Sequence, residues 1–340
     1  MLVCAPLLLL IFAPTSLSFT ALWRVSGHSI LRARPVVASS DDSPAVASSE
    51  LSASKNPPEE VDPRHLTQWI KNAKTVPDLL VLHEKYSAGF NHIHLSASWI
   101  ALSRHSRARS KASQSAKHGY TRYRAMPERL HQALMPLMRQ SAEMALAGDL
   151  AGRELANVMY GIARSRIPEG APRAGLLDVL AVSAESRIRE LKPQELSNSA
   201  WAYATAGHAA PELFDALASV AVRRLTVPSA DAEMSEFSPQ ELANLAWAYA
   251  TAGHVAPELY DSLANASLGS INEFNPQNLA NTAWAFATAR HPAPRLFDEL
   301  AICAAARSPD FNPQNLANTV LATARHGDHT CLLSAILSAC

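Results

Sequence analysis

The side chains best suited to recognition chemistry in this sequence are carboxamides that recur at a fixed spacing. In four segments of the second half of the chain, a glutamine is followed four residues later by an asparagine. A carboxamide donates and accepts hydrogen bonds, so it can pair with the edge of a nucleic-acid base without carrying charge. On a helix this spacing places both side chains on one face. The candidates are Gln194, Asn198, Gln240, Asn244, Gln277, Asn281, Gln314 and Asn318, and Thr205, Thr251 and Thr288 extend the same face.

The same asparagines have an equally simple structural interpretation. An asparagine in the same place of every segment, Asn157 included, can form a buried ladder that ties each helix to the next. Positions that differ between segments are better suited in principle to distinguish bases. Two such positions are Glu195/Glu241/Asn278/Asn315 and Ser199/Leu245/Thr282/Thr319. The sequence leaves the choice between base contact and ladder open.

A second candidate site is a strongly basic stretch at residues 104–124. It contains seven Lys or Arg and no acidic residue. Cations of this kind neutralise phosphates, and Tyr120 and Tyr123 are available to stack on bases. Because the stretch is rich in serine, we expect a loop or insertion, and a solvated insertion without a ligand is the competing interpretation. The candidate phosphate contacts are Arg104, Arg107, Arg109, Lys111, Lys117, Arg122 and Arg124.

Charge is unevenly distributed along the chain. The 340 residues include 30 basic and 30 acidic ones, which excludes a uniformly basic protein held to nucleic acid by bulk charge. Residues 61–140 contain 13 basic and 4 acidic residues, whereas residues 141–340 contain 13 basic and 21 acidic ones. The front of the chain can attract phosphates. The acidity of residues 141–340 argues against RNA binding by this part of the chain, and it is compatible with an array that binds proteins.

Motifs of enzymes are missing from the sequence. It contains no GxxxxGK[ST], GxGxxG, HRD, DFG, GxSxG or HExxH motif, and none of its four cysteines lies in a CxxC pair. His208, His254 and His291 recur once per segment near a predicted helix end, where we assign them to capping and to compensation of the helix dipole. We therefore expect no enzymatic activity, no cofactor, no metal site and no small-molecule substrate.

Internal repeats are the strongest structural signal. Four similar segments begin at Pro193, Pro239, Pro276 and Pro313, and the last two intervals are 37 residues each. A proline suits the first position of a helix, where the missing N–H is tolerated. Each segment continues into a second amphipathic helix. One helix pair cannot bury both its faces, so such pairs stack into arrays.

We therefore expect an all-α fold, a right-handed alpha solenoid of helix-turn-helix repeats about 37 residues long. The repeats span about 152–192, 193–238, 239–275, 276–312 and 313–340, and an N-terminal helical region spans 61–147. Four helices are predicted in that region, and Pro136 is expected to bend the last of them. The recurring Trp201, Trp247 and Trp284 are expected to be buried between adjacent pairs.

The leader predicts targeting. Residues 1–18 have the short apolar core and the small residues of a signal peptide. Residues 19–60 begin with Phe19, carry arginine and serine without an acidic residue before Asp41, and continue as a disordered linker. This bipartite arrangement resembles the presequences of algae with secondary plastids. We expect a plastid location, with the mitochondrion as the alternative and secretion as a further one, and no membrane segment in the mature form.

The motifs resemble a known family. TQWIKNAK and LLVLHEKYSAGFNHIHLSASWIALSRH, followed by repeats such as FNPQNLANTAWAFATARH, are similar to organellar helical-repeat proteins of the octotricopeptide type. These are related to FAST-kinase-like proteins and to helical-repeat subunits of trypanosome RNA-editing complexes. The resemblance covers residues 62–327. Many members carry a C-terminal RAP domain, and we expect none here. The last repeat also departs from the pattern, because Leu321 replaces the tryptophan.

The resemblance implies an alpha solenoid that binds single-stranded organellar RNA and acts in RNA processing, stability or translation. The alternative is a protein-interaction scaffold in an organellar ribonucleoprotein complex, without direct RNA contact. The acidic repeats are the reason for keeping this alternative.

Overall fold

The computed structural model describes residues 61–115, 128–165, 167–227 and 237–324. The predicted signal peptide 1–18, the predicted transit segment 19–60 and the candidates Lys117, Arg122 and Arg124 lie outside these residues. The described residues contain thirteen α-helices and three short 3₁₀-helices, without a strand. The prediction of an all-α fold is confirmed.

Most of the helices are three to four turns long. Their bounds are α1 (Pro63–Asn72), α2 (Val76–Tyr86), α3 (His92–Ser115), α4 (Glu128–Leu146), α5 (Gly152–Ser165), α6 (Ala171–Ser186), α7 (Pro193–Ala206), α8 (Pro211–Thr226), α9 (Pro239–Ala252), α10 (Pro257–Ser270), α11 (Pro276–Ala289), α12 (Pro294–Ala306) and α13 (Pro313–Thr323). The 3₁₀-helices span Ser87–Gly89, Ile271–Glu273 and Ser308–Asp310.

The helices pack in two layers. The odd-numbered helices α1 to α13 form the A layer, in which each helix contacts the next odd-numbered one. The even-numbered helices α2 to α12 form the B layer in the same way, and each of them also contacts the A helix that precedes it. Helices α1 to α4 follow the same alternation, although the sequence motif begins only with α5. The N-terminal region therefore continues the array of the repeats.

The helix boundaries follow from local capping. The Ser238 hydroxyl accepts from the Glu241 N–H, and the Glu241 carboxylate accepts from the Ser238 N–H, so the predicted capping box is present. Gly207 and Gly253 end α7 and α9 with φ of 63° and 67°, as predicted. Arg290 takes the same left-handed conformation after α11, with φ of 55°.

Contacts within the A layer depend on small residues. A Cβ on Gly161 of α5 would lie 2.6 Å from Cβ and 2.7 Å from the carbonyl oxygen of Trp99 on α3. Trp99 is fully buried, and its indole N–H donates to the Ser141 hydroxyl of α4 at 2.9 Å. Gly161 therefore permits an approach that no side chain would allow.

Two buried phenols tie A helices to the preceding B helices. The Tyr203 hydroxyl donates to the Leu177 carbonyl, and the Tyr249 hydroxyl donates to the Phe214 carbonyl, both at 2.6 Å. Burial raises the pKa of both phenols. In α11 the corresponding residue is Phe286, which is buried but has no hydroxyl to donate.

The recurring histidines join consecutive repeats. Each histidine follows an A helix, and its side chain reaches an aspartate of the preceding B helix. The predicted assignment to dipole compensation is therefore incomplete, because the partner aspartate lies in another repeat. The Nε2–Oδ1 distances are 2.7 Å for His208–Asp178, 2.8 Å for His254–Asp215 and 2.8 Å for His291–Asp261.

The expectation of a loop from residue 104 is wrong for its first half. Helix α3 continues without interruption to Ser115, because the arginines, lysine, serines and alanine of this part tolerate helix and no Gly or Pro breaks it. The Ser106 hydroxyl of this part donates to the Ser165 carbonyl of α5 at 3.0 Å, and it is buried. Residues 116–127 lie outside the described part of the chain. Helix α4 also runs through Pro136 as one element.

Candidate nucleic-acid interface

One narrow side of the A helices α3 to α11 stays uncovered. In α7 it consists of Gln194, Asn198, Trp201 and Thr205, at positions i, i+4, i+7 and i+11. The Gln and Thr side chains are exposed and those of Asn and Trp are half-buried, whereas the other residues from 196 to 204 are buried. Since a helix has 3.6 residues per turn, these four positions lie on one side. Tyr203, which bonds to the B layer, lies opposite, so this side faces away from the B layer.

The same pattern of exposure recurs along the A layer, and we call these positions the outer stripe. Its members lie next to each other from helix to helix, because successive A helices are in contact. From α3 to α13 the outer stripe comprises Ile93, Ala97, Ile100 and Arg104; Arg153, Asn157, Tyr160 and Arg164; Gln194, Asn198, Trp201 and Thr205; Gln240, Asn244, Trp247 and Thr251; Gln277, Asn281, Trp284 and Thr288; and Gln314, Asn318 and Leu321.

Aromatic rings form a continuous ladder in the middle of the outer stripe. Ring centroids are 5.2 Å apart for Tyr160 and Trp201, and 6.3 Å apart both for Trp201 and Trp247 and for Trp247 and Trp284. The Arg164 guanidinium lies over Tyr160 and Trp201, at 5.4 and 5.7 Å from their centroids. The prediction that these tryptophans pack between adjacent repeats is confirmed, but each is only half-buried and the rest of its side chain is accessible. They pack against their counterparts in adjacent repeats and are displayed at the same time.

The asparagines of the outer stripe do not form the buried hydrogen-bonded ladder that was the structural alternative to base contact. Within the described residues, no hydrogen bond involves the side chains of Asn198, Asn244 or Asn281. The exposed glutamines at positions 194, 240, 277 and 314 lie beside them on the same side of the helices. These donors and acceptors are therefore available to a ligand.

The variable positions are not part of the outer stripe. Ser199, Leu245, Thr282 and Thr319 are each at most 1% exposed, which excludes contact with a base. Glu195 and Glu241 accept hydrogen bonds from the backbone N–H of their own N-caps. The differences among these residues therefore serve packing and capping.

The acidity of the repeats lies away from the outer stripe. In residues 193–227 and 237–324, two of the acidic residues are the capping Glu195 and Glu241. The remaining ones lie on B helices or in the turns that follow them: Glu212, Asp215, Glu258, Asp261, Glu273, Asp298, Glu299 and Asp310. Net charge alone misrepresents this surface, because the side that carries the aromatic ladder has no carboxylate among its described members.

Only part of the predicted basic site is brought to the outer stripe. Arg104 is exposed there and donates to the Lys71 carbonyl at 3.2 Å. The backbone of Arg107, Arg109 and Lys111 belongs to α3, but the structure does not describe their side chains. Sequence reasoning missed Arg153 and Arg164, which add cations next to the ladder. Their signal is the register of α5, which places them where later repeats have Gln and Thr.

The described ranges contain neither a metal centre nor a membrane-spanning helix. No group of three or more His, Cys, Asp or Glu is arranged to hold a metal ion there. Within the same residues, no helix combines the length and the apolar character needed to cross a membrane.

Comparison with known proteins gives no relative from which a function can be transferred. No protein-family model matches the chain, and no curated protein matches it.

Proposed function

We propose that the protein binds single-stranded RNA along the outer stripe of the A layer. The observation that carries this proposal is the half-exposed ladder of Tyr160, Trp201, Trp247 and Trp284, with free amides beside it and no carboxylate. Stacking of a base on an aromatic side chain contributes about 1–3 kcal/mol and tolerates different bases. Amides at neighbouring positions add hydrogen bonds to base edges.

The chemistry of the outer stripe favours a single strand over a duplex. Base faces are hidden within a double helix, whereas an unpaired strand can turn them toward aromatic rings. Cations lie at one end of the stripe, where Arg104, Arg153 and Arg164 are available to phosphates. The neutral part from α7 to α11 then contacts bases, and the basic end anchors the strand.

We propose further that the array is a right-handed solenoid and that it acts in organellar RNA processing, stability or translation. The resemblance of its motifs to organellar helical-repeat proteins supports this role. The leader supports import into a plastid, with the mitochondrion as the alternative. Imaging of the tagged protein in its own cell tests the compartment.

The binding experiment uses the full chain and a fluorescently labelled single-stranded RNA of about 12 nucleotides. Fluorescence anisotropy is expected to give saturable binding that weakens as salt is raised. A triple variant, W201L/W247L/W284L, copies the leucine that α13 carries at this position. It is expected to bind at least about tenfold more weakly.

The matched control changes apolar residues of the B layer. Val182 and Ile302 are 63% and 56% exposed, and the V182A/I302A variant is expected to bind like the wild type. Circular dichroism confirms that both variants are folded. Absence of binding by the wild type, or equal binding by the triple variant, contradicts the proposal. Protein partners that remain bound after RNase treatment would then favour the scaffold.

A further inference from the structure

Three consecutive repeats present the same four side chains on the outer stripe. Each has Gln, Asn, Trp and Thr in the same order and with the same exposure. The variable position closest to the stripe asparagines is hidden, since Ser199, Leu245 and Thr282 are buried. A strand lying on the stripe therefore meets the same four side chains three times in succession. The three sets are Gln194, Asn198, Trp201 and Thr205; Gln240, Asn244, Trp247 and Thr251; and Gln277, Asn281, Trp284 and Thr288.

Identical sets of side chains favour the same base at each repeat. Whichever base gains most from one set of side chains gains the same from the next set, so a mixed sequence cannot satisfy all three equally. The geometry repeats as well, because the centroids of Trp247 lie 6.3 Å from those of both Trp201 and Trp284. This distance exceeds the rise of about 3.4 Å per nucleotide in a stacked strand, so a strand that matches the repeat is extended.

Both flanks of this triplet differ from it. On one side, Tyr160 replaces tryptophan, and the Arg164 guanidinium lies 5.4 Å from the ring centroid of Tyr160 and 5.7 Å from that of Trp201. On the other side, Leu321 is 50% exposed and offers no π-face for stacking. The uniform surface is therefore limited to three repeats.

We propose, on the basis of the RNA-binding function proposed above, that these three repeats recognise a run of at least three adenines. A carboxamide pairs with adenine through two hydrogen bonds, accepting from N6 and donating to N7. Adenine also has the larger ring system of a purine, which overlaps an indole more fully than a pyrimidine does. Asn198, Asn244 and Asn281 contact the adenine edges, and the adjacent indoles stack on the ring faces.

The test measures binding of the full chain to four labelled RNAs of about 12 nucleotides at one salt concentration. They are oligo(A), oligo(U), oligo(C) and an alternating A/C sequence with isolated adenines. Oligo(A) is expected to bind at least about tenfold more tightly than oligo(U) and oligo(C), and more tightly than the alternating sequence. Equal affinities, or tighter binding of oligo(U) or oligo(C), overturn the adenine assignment but leave RNA binding intact. If none of the four binds, the proposed function itself fails.

A variant separates base recognition from stacking. N244A removes one amide from the stripe and leaves Trp247 in place, and it is expected to weaken oligo(A) about fivefold while oligo(U) changes little. Asn265 is exposed on α10 in the B layer, and N265A is the matched control, expected to bind as the wild type. An equal loss for both RNAs in N244A contradicts recognition of adenine by the amide.

Discussion

The indole rings of Trp201 and Trp247 lie 6.3 Å apart with their planes 28° from parallel, although the residues belong to different repeats. Such a contact requires adjacent A helices to be close and in register. Small buried residues such as Ala200 and Ala246 beside the tryptophans allow this approach. The packing that stabilises the array thus also aligns its exposed aromatic side chains.

Replacing the central tryptophan of the ladder in the W247L variant is expected to weaken binding of single-stranded RNA about tenfold, because one stacking surface is lost. The free energy of unfolding is expected to fall by about 1–2 kcal/mol, since two aromatic contacts disappear. Anisotropy and urea unfolding measure the two effects. A variant with the full stability loss and unchanged RNA affinity would show that the indole is structural only.

Neutralising the cations beside the ladder is expected to change salt dependence. In R153Q/R164Q the slope of log K against log salt should fall by about 1.4, or about 0.7 for each lost phosphate contact. Arg223 is exposed on α8 in the B layer, and R223Q serves as the control with an unchanged slope. If both variants change the slope equally, RNA binding depends on the net charge of the whole molecule, and the arginines of the outer stripe make no specific phosphate contacts.

The left-handed conformation of Arg290 predicts that glycine at this position would stabilise the protein. Arg290 has φ of 55° at a position where α7 and α9 have glycine. R290G removes the steric cost of this conformation, and we expect the free energy of unfolding to rise by about 1 kcal/mol. Urea unfolding measures the difference. G253A is the reciprocal variant and should lose a similar amount, while a loss in R290G would contradict the argument.

The close contact between α3 and α5 predicts that a larger residue at Gly161 would destabilise the protein. In G161A the new Cβ would clash with the backbone and Cβ of Trp99, neither of which can rotate away. We expect a loss of about 3 kcal/mol or more, measured as a lower urea midpoint. Gly269 is exposed on α10 with open space around it, so G269A is the control and should be neutral or slightly stabilising.

One buried histidine makes stability depend on pH. His83 is 5% exposed, and its burial lowers its pKa from 6.5, although the contact with Gln140 at 2.8 Å acts in the opposite direction. The unfolded chain therefore binds a proton at higher pH than the folded one, so stability falls as the pH is lowered from 6.5 through the folded pKa. The H83Q variant should lose less stability than the wild type between about pH 7.5 and pH 5.5. Equal losses would contradict this, and exposed His92 is the control position.

Local signals were enough to predict most helix boundaries. A proline at the first helical position marks where α7, α9 and α11 begin, and the caps Ser238 and Asn275 reinforce the last two starts. A glycine marks where α7 and α9 end. These signals act within one helix, so they are visible in the sequence.

The exposure of the tryptophans could not be predicted in the same way. An A helix contacts a B helix and two A neighbours, so most of its surface is apolar and the period does not reveal which side is left uncovered. Trp201 lies seven residues after Gln194, on the same side, and that spacing was the available signal.

The contacts between His and Asp joined residues that no local pattern connects. His208 lies 30 residues after Asp178, and His291 lies 30 residues after Asp261. The recurrence of this interval was visible in the sequence. The contact itself could not be predicted, because it depends on how one repeat packs on the next.

Mapping the RNA contact by ultraviolet crosslinking and mass spectrometry of the full chain tests the central claim most directly. We predict nucleotide adducts on the aromatic ladder, at Tyr160, Trp201, Trp247 and Trp284. Adducts confined to B-layer helices, or crosslinking that is unchanged in W201L/W247L/W284L, would contradict it.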